Sequence, residues 1–289
     1  MNAHIYDNRV CALGEGPLWH PERQQLFWFD ILGKRLLSRD GETPRDWPFD
    51  AHVSAAGWID RTTLLIASEV ELFTFDLDTG TCRHICPLEA DNPVTRSNDG
   101  RADPWGGFWI GTMGKEMEPG AGAIYRWYRG ALRQLYPGIT VSNSICFCPH
   151  RKYAYYTDTL ARVIMRQPLD AASGWPSGAP KAFVDLTPDR LNPDGAVVDS
   201  DGVLWSAQWG ASRVAAYGPD GRFLRSVPVD AVQTSCPAFG GPGLDTLYCT
   251  SAATGLSADR LDRQPSNGMT FAAPGLARGQ AEHRVVLDG

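Results

Sequence analysis

Two carboxylates and a carboxamide stand out, each among small or turn-forming residues just ahead of an aromatic-rich stretch. They are Glu15 in Leu13-Gly-Glu-Gly-Pro17, Asn143 in Val141-Ser-Asn-Ser144, and Asp194 in Asn192-Pro-Asp-Gly195. Gathered at one point, they would form an oxygen-only site with two negative charges. Such a site suits a hard or borderline divalent ion such as Ca²⁺, Mg²⁺, Mn²⁺ or Zn²⁺, with water completing the shell. The neighbouring glycines fit tight turns that bring backbone close to such a point. A fourth segment, Arg96-Ser-Asn-Asp-Gly100, carries a planar guanidinium fork and an amide that both donates and accepts. Arg96 and Asn98 are therefore candidates to hold substrate oxygens. Read alone, Asn-Asp-Gly and Pro-Asp-Gly are ordinary turn triplets, so the chemistry depends on a fold that brings the four segments together.

The elements that must do so are strands. Short runs rich in Val, Ile, Phe, Tyr and Trp alternate with clusters of Gly, Asp, Asn and Pro, and few segments show the three- and four-residue apolar spacing of a helix. A loose repeat joins a turn to an aromatic strand six times. Taking Leu26, Leu64, Phe108, Tyr153, Leu204 and Leu247 as equivalent points, the steps are 38, 44, 45, 51 and 43 residues. A period of this length with several strands per unit predicts an all-β, six-bladed β-propeller occupying residues 1–289 as one domain. Equivalent positions in different blades converge on the axis of such a ring, which is where Glu15, Arg96, Asn98, Asn143 and Asp194 would meet. Ring closure requires one terminus to complete a blade begun by the other. Ile5 through Val10 and His283–Leu287 are the two strand candidates for that role. The repeat itself speaks only of fold, and function has to come from what departs from it.

Composition narrows the partners. The formal net charge of −6 argues against nucleic acid or an anionic membrane, both of which favour a basic face. No basic start followed by an apolar run marks a signal peptide, and no stretch approaches 18 apolar residues. Seven cysteines without regular pairing do not form a disulfide framework, which points to a reducing cytoplasm. Cys146 and Cys148, two apart in an apolar run, should fill one face of a packed strand. No Gly-x-Ser-x-Gly elbow is present, and His20, His52, His84 and His150 have no triad-like partners. His20 and His150 are expected to cap turns.

These segments, taken in order, resemble the senescence marker protein 30 (regucalcin) and gluconolactonase family. The similarity runs through Leu13-Gly-Glu-Gly-Pro-Leu-Trp19, Arg96-Ser-Asn-Asp-Gly100, Gly111-Thr-Met113, Ser142-Asn143, Tyr156-Thr-Asp158 and Pro193-Asp-Gly195, over nearly the whole chain. The resemblance implies a metal-dependent lactonase that opens an aldonolactone or aldarolactone. It implies one divalent ion (Ca²⁺, Zn²⁺, Mn²⁺, Mg²⁺ or Fe²⁺) on Glu15, Asn143 and Asp194, with Asp194 as general base. Arg96 and Asn98 match substrate-binding positions. Glu116 matches a further one, with Glu118 competing in the same loop. Another metal-dependent esterase or phosphotriesterase on this scaffold, or a non-catalytic calcium-binding regulator, are the rival readings. The expected partner is a small sugar lactone, with the chain a monomer or weak homo-oligomer. Substrate choice is expected to rest on loops such as Lys115–Pro119 and Ser206–Ser212, and an acidic lactone would call on Arg96, Lys115 or Arg213.

Overall fold

The structure is a computed structural model and describes residues 2–287. Every strand among the described residues belongs to one of six four-stranded antiparallel sheets. The first strands of the sheets are Gly14–His20, Val53–Trp58, Thr95–Ala102, Ser142–Phe147, Asn192–Val198 and Gln233–Gly240. Each touches the first strand of the next sheet, and the sixth touches the first. The molecule is thus a six-bladed β-propeller with these six strands lining the axis. All six points taken as equivalent in the sequence fall at the start of a blade's second strand. Among the described residues helix is confined to one turn of 3₁₀ and the six-residue helix Ala258–Arg263.

Side chains of a strand alternate between its two faces, and here both faces are buried between blades. Phe27 and Phe29 of blade 1 pack toward Leu64, Ile66 and Phe75 of blade 2. Their strand neighbours Leu26 and Trp28 pack the other way, toward Tyr248 and Ala272 of blade 6. The same arrangement repeats, giving an apolar cluster at each of the six blade interfaces. This accounts for strands that read as continuous aromatic and aliphatic runs. Cys146 and Cys148 do fill one face, in the cluster between blades 4 and 5, and all seven cysteines are free. His20 caps its turn as expected, its ring accepting from the Arg23 amide and bonding the Asp60 carbonyl.

Closure differs from expectation at one end. His4–Asp7 pairs antiparallel with Thr270–Pro274 and supplies the outer strand of blade 6. Residues His283 to Leu287 form no strand. They belong to a tail that crosses the far end of the ring, held by the Val285 amide on Trp58, the Val286 amide on Gly106 and the Gln280 amide nitrogen on Phe147 and Val198 carbonyls.

One polar pair is fully enclosed. Arg126 Nε donates to Asp103 Oδ2 at 2.7 Å, neither side chain having any exposure. The guanidinium lies over the rings of Tyr128 and Trp175, at 4.2 and 4.6 Å from their centroids. Asp103→Ala would leave that cation unpaired and should lower stability by about 3–5 kcal/mol. Urea unfolding checks this, and a loss below about 1 kcal/mol would contradict it.

Candidate functional site

The six axial strands share a local defect. In each, the register with the second strand slips by one residue, at Glu15/Leu18, Val53/Ala55, Ser97/Gly100, Asn143/Cys146, Pro193/Ala196 and Thr234/Pro237. A β-bulge re-aims the side chains around it, and here six bulges form one level around the axis. Glu15 and Asn143 occupy the same position, the last pair before the bulge. Asp194 and Asn98 lie one residue further on, inside the bulge, so the equivalence expected from the sequence is offset by one residue for these two. Two glycines make the close approach possible. A Cβ on Gly16, whose φ is +52°, would stand 2.2 Å from the Ser54 carbonyl oxygen, and one on Gly195 would stand 2.3 Å from Cys236 Sγ.

Small hydroxyls tie the bulges together. Ser54 Oγ donates to Ser97 Oγ, Asn98 Nδ2 donates to the Ser142 carbonyl and to Asn143 Oδ1, and Ser144 Oγ donates to the Asp194 carbonyl. Thr234 Oγ1 donates to the Gln208 carbonyl and Ser235 Oγ to that of Gly14. Asn143 Nδ2 donates to Thr159 Oγ1 at 2.8 Å, which in turn donates to the Pro193 carbonyl. With its nitrogen engaged this way, the Asn143 amide presents its oxygen as an acceptor.

Inside this girdle sit Glu15, Arg96, Asn98, Asn143 and Asp194, each 6% exposed or less. A further carboxylate, Asp99, joins them at 4%. Burial, then the charge of Asp99, pushes the Glu15 carboxyl up to about 8. Burial, then Glu15 and Asp99, pushes Asp194 well above the usual range. Burial raises Asp99 to about 6, although its Oδ2 accepts from the Ile145 amide at 2.7 Å. Arg96 is the cation that both Glu15 and Asp194 feel, and burial lowers it to about 10 against their attraction. Arg96 Nη1 donates to the Ser97 carbonyl and to Asn98 Oδ1, while Nε and Nη2 have no hydrogen-bond partner among the described residues.

Asp99 went unrecognised in the sequence because Asn-Asp-Gly reads as a turn; the Arg-x-Asn-Asp spacing inside a strand period was the available signal. The mouth holds another unforeseen group. Glu69 bonds Lys115 Nζ at 2.6 Å and accepts from the His52 amide. Burial opposes its ionisation, yet these bonds hold Glu69 down at about 2. Glu116 is exposed, its amide donates to Glu118 Oε2 at 3.1 Å, and no hydrogen bond ties its carboxylate to the axial cluster among the described residues.

Known proteins resemble this chain over most of its length. The description "SMP-30/Gluconolactonase/LRE-like region" matches residues 13–253. The chain belongs to this family. An L-arabinolactonase of Azospirillum brasilense is 37% identical over 95% of this chain and 92% of its own. A 6-deoxy-6-sulfogluconolactonase of Pseudomonas putida is 34% identical over 92% and 94%. The crystal structure of a calcium-binding protein, regucalcin, from Agrobacterium tumefaciens superposes with a TM-score of 0.95 at 37% identity, covering 99% of this chain and 98% of that one. The chain and that structure therefore share the ring. Among the described residues no helix is long and apolar enough to cross a membrane.

The chemistry of the donor set bears on which cation it could hold. Among the described residues no three His, Cys, Asp or Glu side chains group as metal ligands, so a protein shell here needs the amide oxygen of Asn143 beside the carboxylates of Glu15 and Asp194. Those are hard oxygen donors, and Arg96 is the cation that both buried carboxyls share. The residues present fit a hard divalent ion.

Proposed function

We propose that the protein hydrolyses a sugar lactone at the axial cluster, with Glu15, Asn143 and Asp194 holding one divalent ion. The observation that carries this reading is the burial of Glu15 and Asp194 together, each raised above the ordinary carboxylate range with Arg96 as the nearest compensation. A bound cation would supply Lewis acidity to the lactone carbonyl. Asp194 has a second carboxylate oxygen with which to accept the proton of the attacking water. Arg96, with Nε and Nη2 free, donates to substrate oxygens. Asn98, fixed by its bonds to Arg96 and Asn143, keeps that guanidinium in place. Named lactonases at 34–37% identity over nearly the full chain support the substrate class.

Within that class the reading favours an uncharged aldonolactone. An acidic lactone needs a spare cation, yet Lys115 is paired with Glu69, the charge of Arg96 is already met by Glu15 and Asp194, and Arg213 stands on the third strand of blade 5 with its guanidinium over the Phe223 ring. A panel of aldono- and aldarolactones, run with each divalent ion after chelation, tests both levels. Hydrolysis of the aldonolactones should lead by tenfold or more in kcat/KM, a margin on the order of one unpaired buried polar group. No turnover of any lactone with any ion would refute the proposal. Arg96→Lys keeps the charge but loses the fork, and should raise KM by about tenfold with a smaller change in kcat.

A further inference from the structure

The far end of the axis is closed by the chain's last described segment. There the tail after Pro274 leaves blade 6 and runs across the ring. The Gly279 amide donates to the Leu244 carbonyl, the Ser200 amide to that of Arg278, and Gln280 reaches carbonyls of blades 4 and 5. Trp58 Nε1 then donates to the Glu282 carbonyl. These contacts deliver the Glu282 carboxylate to the axis, where it bonds Arg101, both side chains being at most 10% exposed. The tail lies beyond the residues matched by the family description.

Arg101 is two residues from Asp99 on the same axial strand, which puts the two about 7 Å apart along it. Asp99 in turn belongs to the cluster with Glu15 and Asp194. From one mouth to the other, the axis therefore carries carboxylates, then the Arg101 guanidinium, then Glu282. We propose that Glu282 is a positioning residue for the cation site: brought in by the tail, it neutralises Arg101 and so preserves the attraction of the three carboxylates above for a divalent ion.

The inference rests on the metal reading above but goes beyond it. Arg101 is, after Arg96, the second buried cation near a divalent ion at Glu15, Asn143 and Asp194, and it reaches that site through Asp99, whose charge acts on both carboxylates. Its field in the low-dielectric interior is opposed by Glu282 and by Asp99. Without Glu282, Arg101 would turn wholly on Asp99 and on the ion. Tail docking and ion binding would then favour each other, as any two coupled sites must.

The test is calorimetric titration of the chelator-stripped full chain with Mn²⁺ and with Ca²⁺. Glu282→Gln keeps the shape and removes the charge, and should weaken ion affinity on the order of tenfold. Arg101→Met removes the opposing charge and should tighten it by a similar factor. A purely structural role would not move the two variants in opposite directions. Equal affinities in all three proteins, or shifts of the same sign, overturn the inference. If Glu282→Gln does not fold, Arg101→Met alone decides, and unchanged or weaker binding overturns it. A wild-type chain that binds neither ion would instead remove the metal reading, and this inference with it.

Discussion

Asp194→Asn is expected to lower kcat for lactone hydrolysis about a thousandfold, within the range a lost general base commands, and to make the metal-free protein more stable. Both halves follow from one placement. Asp194 is 5% exposed, inside a bulge, with Glu15 and Asp99 raising its carboxyl. An amide of the same shape retains one oxygen for a cation but cannot take a proton from water. The same change removes a carboxylate from a pocket where ionisation is costly, so thermal unfolding after chelation should move upward. A variant that keeps more than a tenth of wild-type kcat would end the role given to Asp194. One that loses activity together with its melting transition would show only that the side chain holds the fold.

Chelation is expected to abolish turnover and to leave a protein whose stability falls as the pH rises. The sign comes from the carboxyls. Glu15 is raised from 4.5 to about 8, Asp99 from 3.8 to about 6, and Asp194 in the same direction. An acid with a raised folded-state pKa binds protons more tightly when folded. Its stabilising effect is complete below the unfolded value and disappears as pH climbs through the folded one. The metal-free melting temperature should therefore drop between about pH 4.5 and 8. A divalent ion at a hundred times its Kd adds about 2.7 kcal/mol, on the order of 5 °C for a chain of this size. It should do so more strongly at pH 8 than at pH 5, because protons compete for the same oxygens. Differential scanning fluorimetry with and without Mn²⁺ measures this, and a metal-free melting temperature that rises from pH 5 to 8 would contradict the assignment.

The architecture was legible because the period of the aromatic strands survives large differences in loop length. The axial position of Glu15, Asn143 and Asp194 was legible for a related reason: each precedes such a strand, and a ring sends equivalent positions inward. The bulges were not. A one-residue slip leaves no compositional mark, so the offset of Asp194 and Asn98 from Glu15 and Asn143 could be seen only in three dimensions. Asp99 was obscured by its neighbours, since Asn98-Asp99-Gly100 has turn chemistry yet lies within the strand Thr95–Ala102. The tail was misjudged because Val285, Val286 and Leu287 look like strand residues. Their apolar side chains are used differently: Val285 is fully buried and fills the space left by the missing Cβ of Gly57. Local pattern shows that a residue wants burial, but not whether sheet pairing or capping will provide it.

The union of His4–Asp7 with Thr270–Pro274 also orders events in time. A ribosome releases the outer strand of the last blade first and its partner more than 260 residues later, an interval on the order of 13–50 s at ordinary elongation rates. Throughout that wait the early segment has no mate, while blades 1 to 5 can already assemble from neighbouring stretches. Joining the two extremities is thus the step that converts an open crescent into a torus.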